Sequence, residues 1–155
     1  MAEAIVVGTD GSDSAKRAVG EAIRLASALG AELHVVSAFE PLRGARIAGA
    51  PEGAAKVWQP LPDADVEATL SEAAAGIRLK GIEARTHAIQ KDPADALVEV
   101  AEKIDAALIV VGNKGLHSAT RRVLGNVPNQ VAHRAACSVL IVATDRPGPE
   151  QPAAS

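Results

Sequence analysis

The chain has 155 residues, of which 48% are hydrophobic and 1% aromatic, and its formal net charge at pH 7 is −3. This length fits one domain with a sizeable core, which Ala, Val, Ile and Leu must build because Phe39 and Trp58 are the only aromatic residues. The charge balance excludes a general basic surface and the scarcity of aromatic rings excludes a base-stacking platform, so we expect no nucleic-acid partner and no membrane partner.

The sequence lacks the features of secreted and membrane proteins. The single cysteine, Cys137, excludes an internal disulfide, and no apolar run approaches the ~18 residues that a transmembrane helix needs. The first residues, MAEAIVV, lack the basic segment and apolar stretch of a signal peptide. We therefore expect a cytoplasmic protein.

The first half of the chain predicts a strand, a helix, a second strand and an irregular excursion. The first strand covers Ala4–Gly8, and a helix whose apolar residues recur at helical spacing follows it and ends at Gly30. The second strand covers Glu32–Ala38. Residues 39–62 hold many glycines and prolines, and a loop of this length in a compact domain usually serves a function, forms a lid or is disordered.

The second half continues the alternation of strands and helices. The strand at 82–89 alternates apolar and polar residues, which is typical of a half-exposed strand near a sheet edge. Asp92 and Pro93 predict a helix start, with an N-cap followed by proline in the first helical position. The predicted segments are a helix at 63–80, a strand at 82–89, a helix from 93, a strand at 106–111, a helix at 126–135 and a strand at 138–143. This order predicts an α/β fold with a single doubly wound, five-stranded parallel sheet and helices on both faces.

The stretch from Ala106 to Val127 predicts an anion-binding loop. Six uninterrupted apolar residues are typical of a strand buried on both faces, and Gly112, Gly115 and Gly125 follow with two and nine residues between them. Glycines let backbone N–H groups approach a ligand, and a helix start adds unpaired N–H donors and partial positive charge. A flexible surface loop that happens to hold glycines is the alternative interpretation. The position at the carboxyl end of a buried strand, where open α/β sheets bind ligands, favours a phosphate site.

The same loop carries only positive charge. Lys114, Arg121 and Arg122 lie in it without any carboxylate, and each charge-assisted contact with a phosphate contributes ~1.5 to 3 kcal/mol. The alternative is that each cation points into water. His117 also lies in the loop, but no carboxylate nearby in sequence would orient its imidazole, so we expect no catalytic residue there.

The glycine spacing, followed by the small polar residue Asn126, resembles the nucleotide-binding signature of the universal stress protein family. GTDGS at 8–12 resembles the end of the first strand in that family, so the resemblance covers about 4–143, which we take as the domain. It implies the strand order 3-2-1-4-5. The tail at 145–155 contains three prolines, has nothing to pack against and is expected to be mobile.

The resemblance also implies a ligand and a set of residues that bind it. The ligand is ATP, accompanied by Mg²⁺ where the triphosphate brings it, and the function is that of a stress-response regulatory protein. Among the implied residues, Asp10 holds the ribose or the metal, the backbone of Ala38 meets the adenine edge, and Val111 forms the floor. The implied nucleotide-binding residues are Gly8, Thr9, Asp10, Ala38, Val111, Gly112, Asn113, Lys114, Gly115, Arg121, Gly125, Asn126 and Val127.

Several of these residues allow a purely structural interpretation. Asp10 is suited to an Asx turn, in which its carboxylate would bond the backbone near Ser12 and start the first helix. Ala38 and Val111 also fit a plain core. These alternatives stay open at the level of the sequence.

The chain departs from the family pattern after its last glycine. The family usually has Ser or Thr there, whereas this chain has Asn126, which has a longer reach and is also suited to act as a helix N-cap. Pro128 removes one N–H from the first turn of the helix. Cyclic AMP, whose phosphodiester carries one charge and needs fewer donors, is therefore an alternative to ATP.

Two further classes of function are considered. A slow ATPase or a self-phosphorylating protein would use Ser118 or Thr120 as acceptor, but the sequence has neither the lysine of a Walker loop nor an evident base. A ligand-free partner binder would not need the three glycines that this chain has. The strand order would also leave the apolar segment 138–143 at a sheet edge, so we expect a two-fold homodimer through it.

The histidines do not predict a metal site. His34 and His87 lie on separate strands without the paired spacing of metal ligands, so we expect no structural metal.

Overall fold

A computed structural model describes residues 3–39, 64–113 and 126–143. In these residues strands and helices alternate, as the sequence predicts. The strands are β1 (Ala4–Gly8), β2 (Glu32–Ala38), β3 (Ala84–Ile89), β4 (Leu108–Gly112) and β5 (Ser138–Val142). The helices are α1 (Asp13–Leu29), α2 (Ala64–Leu79), α3 (Pro93–Lys103) and α4 (Asn126–Arg134).

The five strands form one parallel sheet in the order β3-β2-β1-β4-β5. The predicted order is therefore confirmed, with β1 in the centre. The predicted edge position of the alternating strand is confirmed as well, because β3 is the outermost strand beyond β2. The opposite edge is β5, whose apolar residues from Val139 onward are only partly buried.

Alternate residues of the strands face two separate cores. Ile5 and Val7 of β1 pack with α1 and α2, whereas Val6 packs with α3 and α4 on the other face. Small residues such as Ala18 and Ala22 of α1 are fully buried, which lets the helix lie close to the sheet. The doubly wound arrangement is confirmed, and aliphatic residues with alanine build both described cores.

Side-chain caps begin two of the helices. Ser12 Oγ accepts a hydrogen bond from the N–H of Ala15 at 3.2 Å, which starts α1. Asp92 accepts from the N–H of Ala94 at 3.3 Å, with Pro93 as the first residue of α3, so the predicted start of α3 is confirmed. Gly30 ends α1 with φ +66°, a left-handed conformation that glycine adopts without strain.

Two strands begin later than the sequence predicts. β4 begins at Leu108 rather than at residue 106, because the Ala106 N–H donates to the Ala101 carbonyl at 2.9 Å and so closes the end of α3. β3 begins at Ala84 rather than at residue 82, since its pairing with β2 starts opposite Leu33. Apolar side chains continue through both turns, so the apolar pattern alone does not mark these strand starts.

The predicted helix at 126–135 is present as α4, which begins at Asn126, but the N-cap role suggested for Asn126 is not borne out. Asn126 is the first residue of α4, so it does not take the N-cap position outside the helix. Among the described helices, none is both long and apolar enough to cross a membrane.

Candidate functional site

The carboxyl ends of the parallel strands meet at one edge of the sheet, and β1 and β4 lie side by side there. α1 follows β1 on one face of the sheet, while α4 packs against the core on the other face. Connections that leave neighbouring strands toward opposite faces open a crevice between the strand ends, where open α/β sheets bind ligands. The crevice at Gly8 and Gly112 is therefore the candidate site.

The loop after β1 forms one wall of this crevice. The Thr9 N–H donates to the Val36 carbonyl at 2.9 Å, which extends the pairing of β1 with β2. The Ser12 N–H donates to Asp10 Oδ1 at 2.9 Å, so the Asx turn considered for Asp10 is present. Asp10 is exposed, and its carboxylate has further acceptor positions beyond this bond. The turn is therefore compatible with an additional contact between Asp10 and a ligand.

Gly11 shapes the same loop. Its φ is +80°, and a Cβ atom added there would lie 3.1 Å from Thr69 Oγ1 of α2. A side chain at this position would therefore be strained by the backbone conformation and would also crowd Thr69 of α2. α2 thus helps to position the loop that carries Asp10.

Apolar side chains lie at the carboxyl ends of β2, β3 and β4 and at the start of α4. Val111 is 4% exposed, and the partly exposed Ala38 and Val127 pack against the same core. Ile89 of β3 lies beside Ala38 in the register and packs against this core as well. An apolar surface of this kind suits one face of a planar, weakly polar ring. Ile89 is absent from the sequence-based site, and only the pairing of β3 with β2 reveals its position.

The start of α4 supplies few backbone donors. Asn126 and Val127 carry N–H groups in the first turn, whereas Pro128, the third residue, has none. Pro128 is also fully buried, so the helix start is anchored in the core. Asn113, just after β4, donates its own N–H to the Val142 carbonyl at 2.9 Å and continues the pairing with β5.

Part of the predicted site belongs to residues 114–125. Lys114, Gly115, Arg121 and Gly125 fall outside the described residues, as does the side chain of Asn126. The structure brings the remaining predicted residues to the carboxyl ends of β1, β2 and β4 and to the start of α4. These are Gly8, Thr9, Asp10, Ala38, Val111, Gly112, Asn113 and Val127.

Acidic and basic side chains form ion pairs on and just before α3. Glu99 Oε1 lies 2.8 Å from Lys103 Nζ, and Glu99 Oε2 lies 2.6 Å from Lys91 Nζ in the loop before the helix. The hydrogen bonds with Lys103 and then Lys91 lower the pKa of Glu99 to about 2. In the described parts of the chain, no three His, Cys, Asp or Glu residues are grouped so that they could hold a metal ion.

Comparisons with known proteins give one consistent result. The sequence model of the Universal stress protein family matches residues 1–143. A universal stress protein of Mycobacterium tuberculosis is 41% identical over 148 residues, covering 90% of this chain and 95% of the relative.

Two solved structures with bound nucleotides share the fold. A universal stress protein in complex with cAMP matches with a TM-score of 0.70 and 37% identity, covering 92% of this chain and 98% of the other. A universal stress protein from Archaeoglobus fulgidus in complex with dAMP matches with a TM-score of 0.65 and 28% identity, covering 90% of this chain and 96% of the other.

Proposed function

The chain belongs to the universal stress protein family, and from this premise we propose that it is a regulatory protein that binds an adenine nucleotide at the carboxyl edge of its sheet. The resemblance based on Gly112, Gly115 and Gly125 is confirmed at the level of the family. The proposal adds the ligand and its position.

One observation supports this proposal: apolar residues lie at the carboxyl edge beside β1 and β4, within a fold that also occurs in a relative solved with cAMP. Ala38, Val111 and Val127 would contact the adenine ring. Asp10, already held in its turn, would accept a hydrogen bond from a ribose hydroxyl. The backbone N–H groups of Asn126 and Val127 would face the phosphate.

Cyclic AMP is the adenine nucleotide that the described residues favour. Pro128 leaves the first turn of α4 with fewer N–H donors, and a phosphodiester with a single charge needs fewer donors than a triphosphate does. The dAMP complex of a second relative supports a ligand with one phosphate as well.

ATP is the second candidate. The spacing of Gly112, Gly115 and Gly125 and the cations Lys114 and Arg121 would suit a longer phosphate chain. In that case Mg²⁺ would arrive with the nucleotide and be held mainly by its phosphates.

We also propose that the protein acts as a homodimer through β5. Val139, Leu140, Ile141 and Val142 are each only partly buried, and among the described residues no strand covers the outer side of β5. A second β5 would cover this apolar edge. A bound nucleotide would then influence other proteins through the dimer surface or through the segment at 39–62.

Equilibrium dialysis against cAMP, ATP with Mg²⁺ and cGMP tests the proposed ligand. We expect retention of cAMP above ATP, and little retention of cGMP. Ala38→Val should weaken cAMP binding by at least about tenfold, or roughly 1.4 kcal/mol, because the added methyl groups would occupy the base position. Ala132→Val, on an exposed position of α4, is the matched control and should bind as the wild type does. Retention of no adenine nucleotide would refute the proposal.

A further inference from the structure

Three side chains from two neighbouring strands form a hydrogen-bonded chain. Glu32 Oε1 lies 2.9 Å from His34 Nε2, and His34 Nδ1 lies 2.8 Å from His87 Nε2. The imidazole rings are inclined by only 18°, with centroids 5.1 Å apart. His34 is 4% exposed, although it lies in the middle of an apolar strand. The chain of contacts connects β2 with the edge strand β3.

These hydrogen bonds limit the number of protons that the two imidazole rings can carry. The hydrogen bond to His34 lowers the pKa of Glu32, so Glu32 is a carboxylate near neutral pH and His34 Nε2 must donate to it. When both rings are neutral, His34 Nδ1 carries no proton and accepts from His87 Nε2–H. When one ring gains a proton, the contact survives, because one nitrogen still donates and the other still accepts.

A second added proton has no acceptable position. If both rings were imidazolium ions, two N–H groups would face each other across the 2.8 Å contact, and two positive charges would lie side by side. The hydrogen bond between β2 and β3 would then be replaced by repulsion. The contact therefore distinguishes between one added proton and two.

The charges around His87 oppose its protonation. Glu32 on β2 is the anion that faces His34, while Arg85 on β3 and Lys103 on α3 add positive charge near His87. The charge of Lys103 is partly balanced by Glu99. Burial lowers the pKa of His87, and the charges of His34, Arg85 and Lys103 lower it further.

We propose that Glu32, His34 and His87 form an acid-sensitive latch, which fastens β3 to the sheet while at most one proton is added and opens when both rings are protonated. The latch requires no ligand. The folded chain binds a proton at His87 less readily than the unfolded chain does. The pairing of β3 with β2 therefore has its full stability above the ordinary histidine pKa of about 6.5. This stability falls as the pH drops from that value toward the lowered pKa of His87.

Opening of the latch would affect one end of the candidate site. β3 ends at Ile89, whose carbonyl accepts from the Phe39 N–H at 3.0 Å and which lies beside Ala38 in the register. Opening of the latch therefore weakens the pairing of β3 with β2 next to Ala38, at the candidate site.

Amide hydrogen exchange of β3 tests the proposal. Wild type, His87→Gln and His133→Gln are compared at about pH 7.5 and about pH 5, with rates corrected for the intrinsic effect of pH. In the wild type, the protection of the β3 amides should fall by up to about tenfold for each pH unit below the ordinary histidine pKa, relative to those of β1.

His87→Gln should keep its β3 protection at both pH values. The glutamine amide stays neutral and offers either N–H or oxygen to His34 Nδ1, so the contact would survive in acid. His133 is exposed at the end of α4, so His133→Gln should lose β3 protection in acid as the wild type does. Equal protection of wild-type β3 at both pH values, or an acid loss in His87→Gln as large as in the wild type, would overturn the proposal.

Ring-nitrogen NMR of the wild type keeps the proposal testable if His87→Gln does not fold. The ¹⁵N shifts of both imidazoles report their protonation states directly. We expect both rings to be positively charged only when the β3 amides have lost protection. Two imidazolium rings alongside a protected β3 would overturn the latch.

Discussion

A Cβ atom placed on Gly8 would lie 3.2 Å from both terminal methyl carbons of Leu97. Leu97 is 3% exposed and belongs to the face of α3 that packs against the sheet. The glycine that ends β1 therefore lets α3 approach the carboxyl edge closely. Close packing against Leu97 thus explains the glycine at position 8, in addition to its place in the proposed nucleotide site.

Substitution of Gly8 tests this packing. Gly8→Ala should lower the free energy of unfolding by about 1 kcal/mol or slightly more, because Leu97 must move away from the added methyl group. Urea unfolding measures the change. Gly20→Ala is the matched control, since Gly20 lies within α1 and nothing lies within 4 Å of its added Cβ. The control should gain up to about 1 kcal/mol from higher helix propensity. Gly8→Ala with wild-type stability would contradict the packing role.

Two substitutions of Asp10 separate its turn from its proposed contact with the ligand. Asp10→Asn keeps an acceptor for the Ser12 N–H, so it should change stability by less than about 0.5 kcal/mol. Asp10→Ala removes the acceptor and should cost about 1 kcal/mol in urea unfolding.

Nucleotide affinity decides whether Asp10 has the second role. If its carboxylate accepts from the ribose, Asp10→Asn should weaken cAMP binding by roughly tenfold or more, because hydrogen bonds to charged groups are the stronger ones. Calorimetric titration measures this. An unchanged affinity in Asp10→Asn would mean that Asp10 only shapes the loop.

The main elements could be predicted from the sequence because their signals are local. Each signal lies within a few residues of the feature that it determines. The signals are the apolar run that contains β4, Asp92 and Pro93 at the start of α3, and Gly30 at the end of α1. The strand order came from the family resemblance, and the observed sheet has that order.

The contacts that the sequence does not predict depend on strand register. His34 and His87 are separated by 53 positions and meet only because β2 and β3 pair in parallel. The position of Ile89 beside Ala38 has the same origin. The position of Asn126 inside α4 rather than at its N-cap shows a different limit, since an asparagine suits the N-cap and is tolerated within the first turn as well. Local patterns thus identify elements better than they identify contacts between them.

Glu99 gives a prediction for acid pH. Its pKa of about 2 in the fold lies below that of an unfolded glutamate, so its ion pairs stabilise the protein above about pH 4.3. This contribution is lost as the pH falls from there toward about 2. Glu99→Gln should therefore show a shallower loss of stability in this range. Because Lys91 and Lys103 are exposed to solvent, the difference in stability between Glu99→Gln and the wild type should also shrink in high salt.

Urea unfolding at a series of acid pH values measures this difference. Glu102→Gln, at an exposed position of the same helix, is the control and should follow the wild type. Parallel acid profiles for Glu99→Gln and the wild type would show that the pairs with Lys91 and Lys103 contribute nothing.

The proposed dimer gives a prediction for molecular mass in solution. Sedimentation equilibrium at micromolar concentration should show a dimer for the wild type. Val142→Lys should produce a monomer, because a lysine on an edge strand opposes the pairing of two edges. Val142→Thr keeps the β-branched shape and should remain dimeric. A wild-type monomer, or a dimer that persists in Val142→Lys, would contradict an interface through β5.

The central claim is that an adenine nucleotide binds in the crevice between β1 and β4, and amide chemical shifts of ¹⁵N-labelled protein titrated with cAMP test it most directly. We predict saturable shifts at the carboxyl edge, in Thr9, Asp10, Gly112, Asn113 and Val127. The amides of Ala31 and Ala106, which precede β2 and β4 at the opposite edge, should not move. The absence of any shift, or shifts confined to that opposite edge, would contradict the claim.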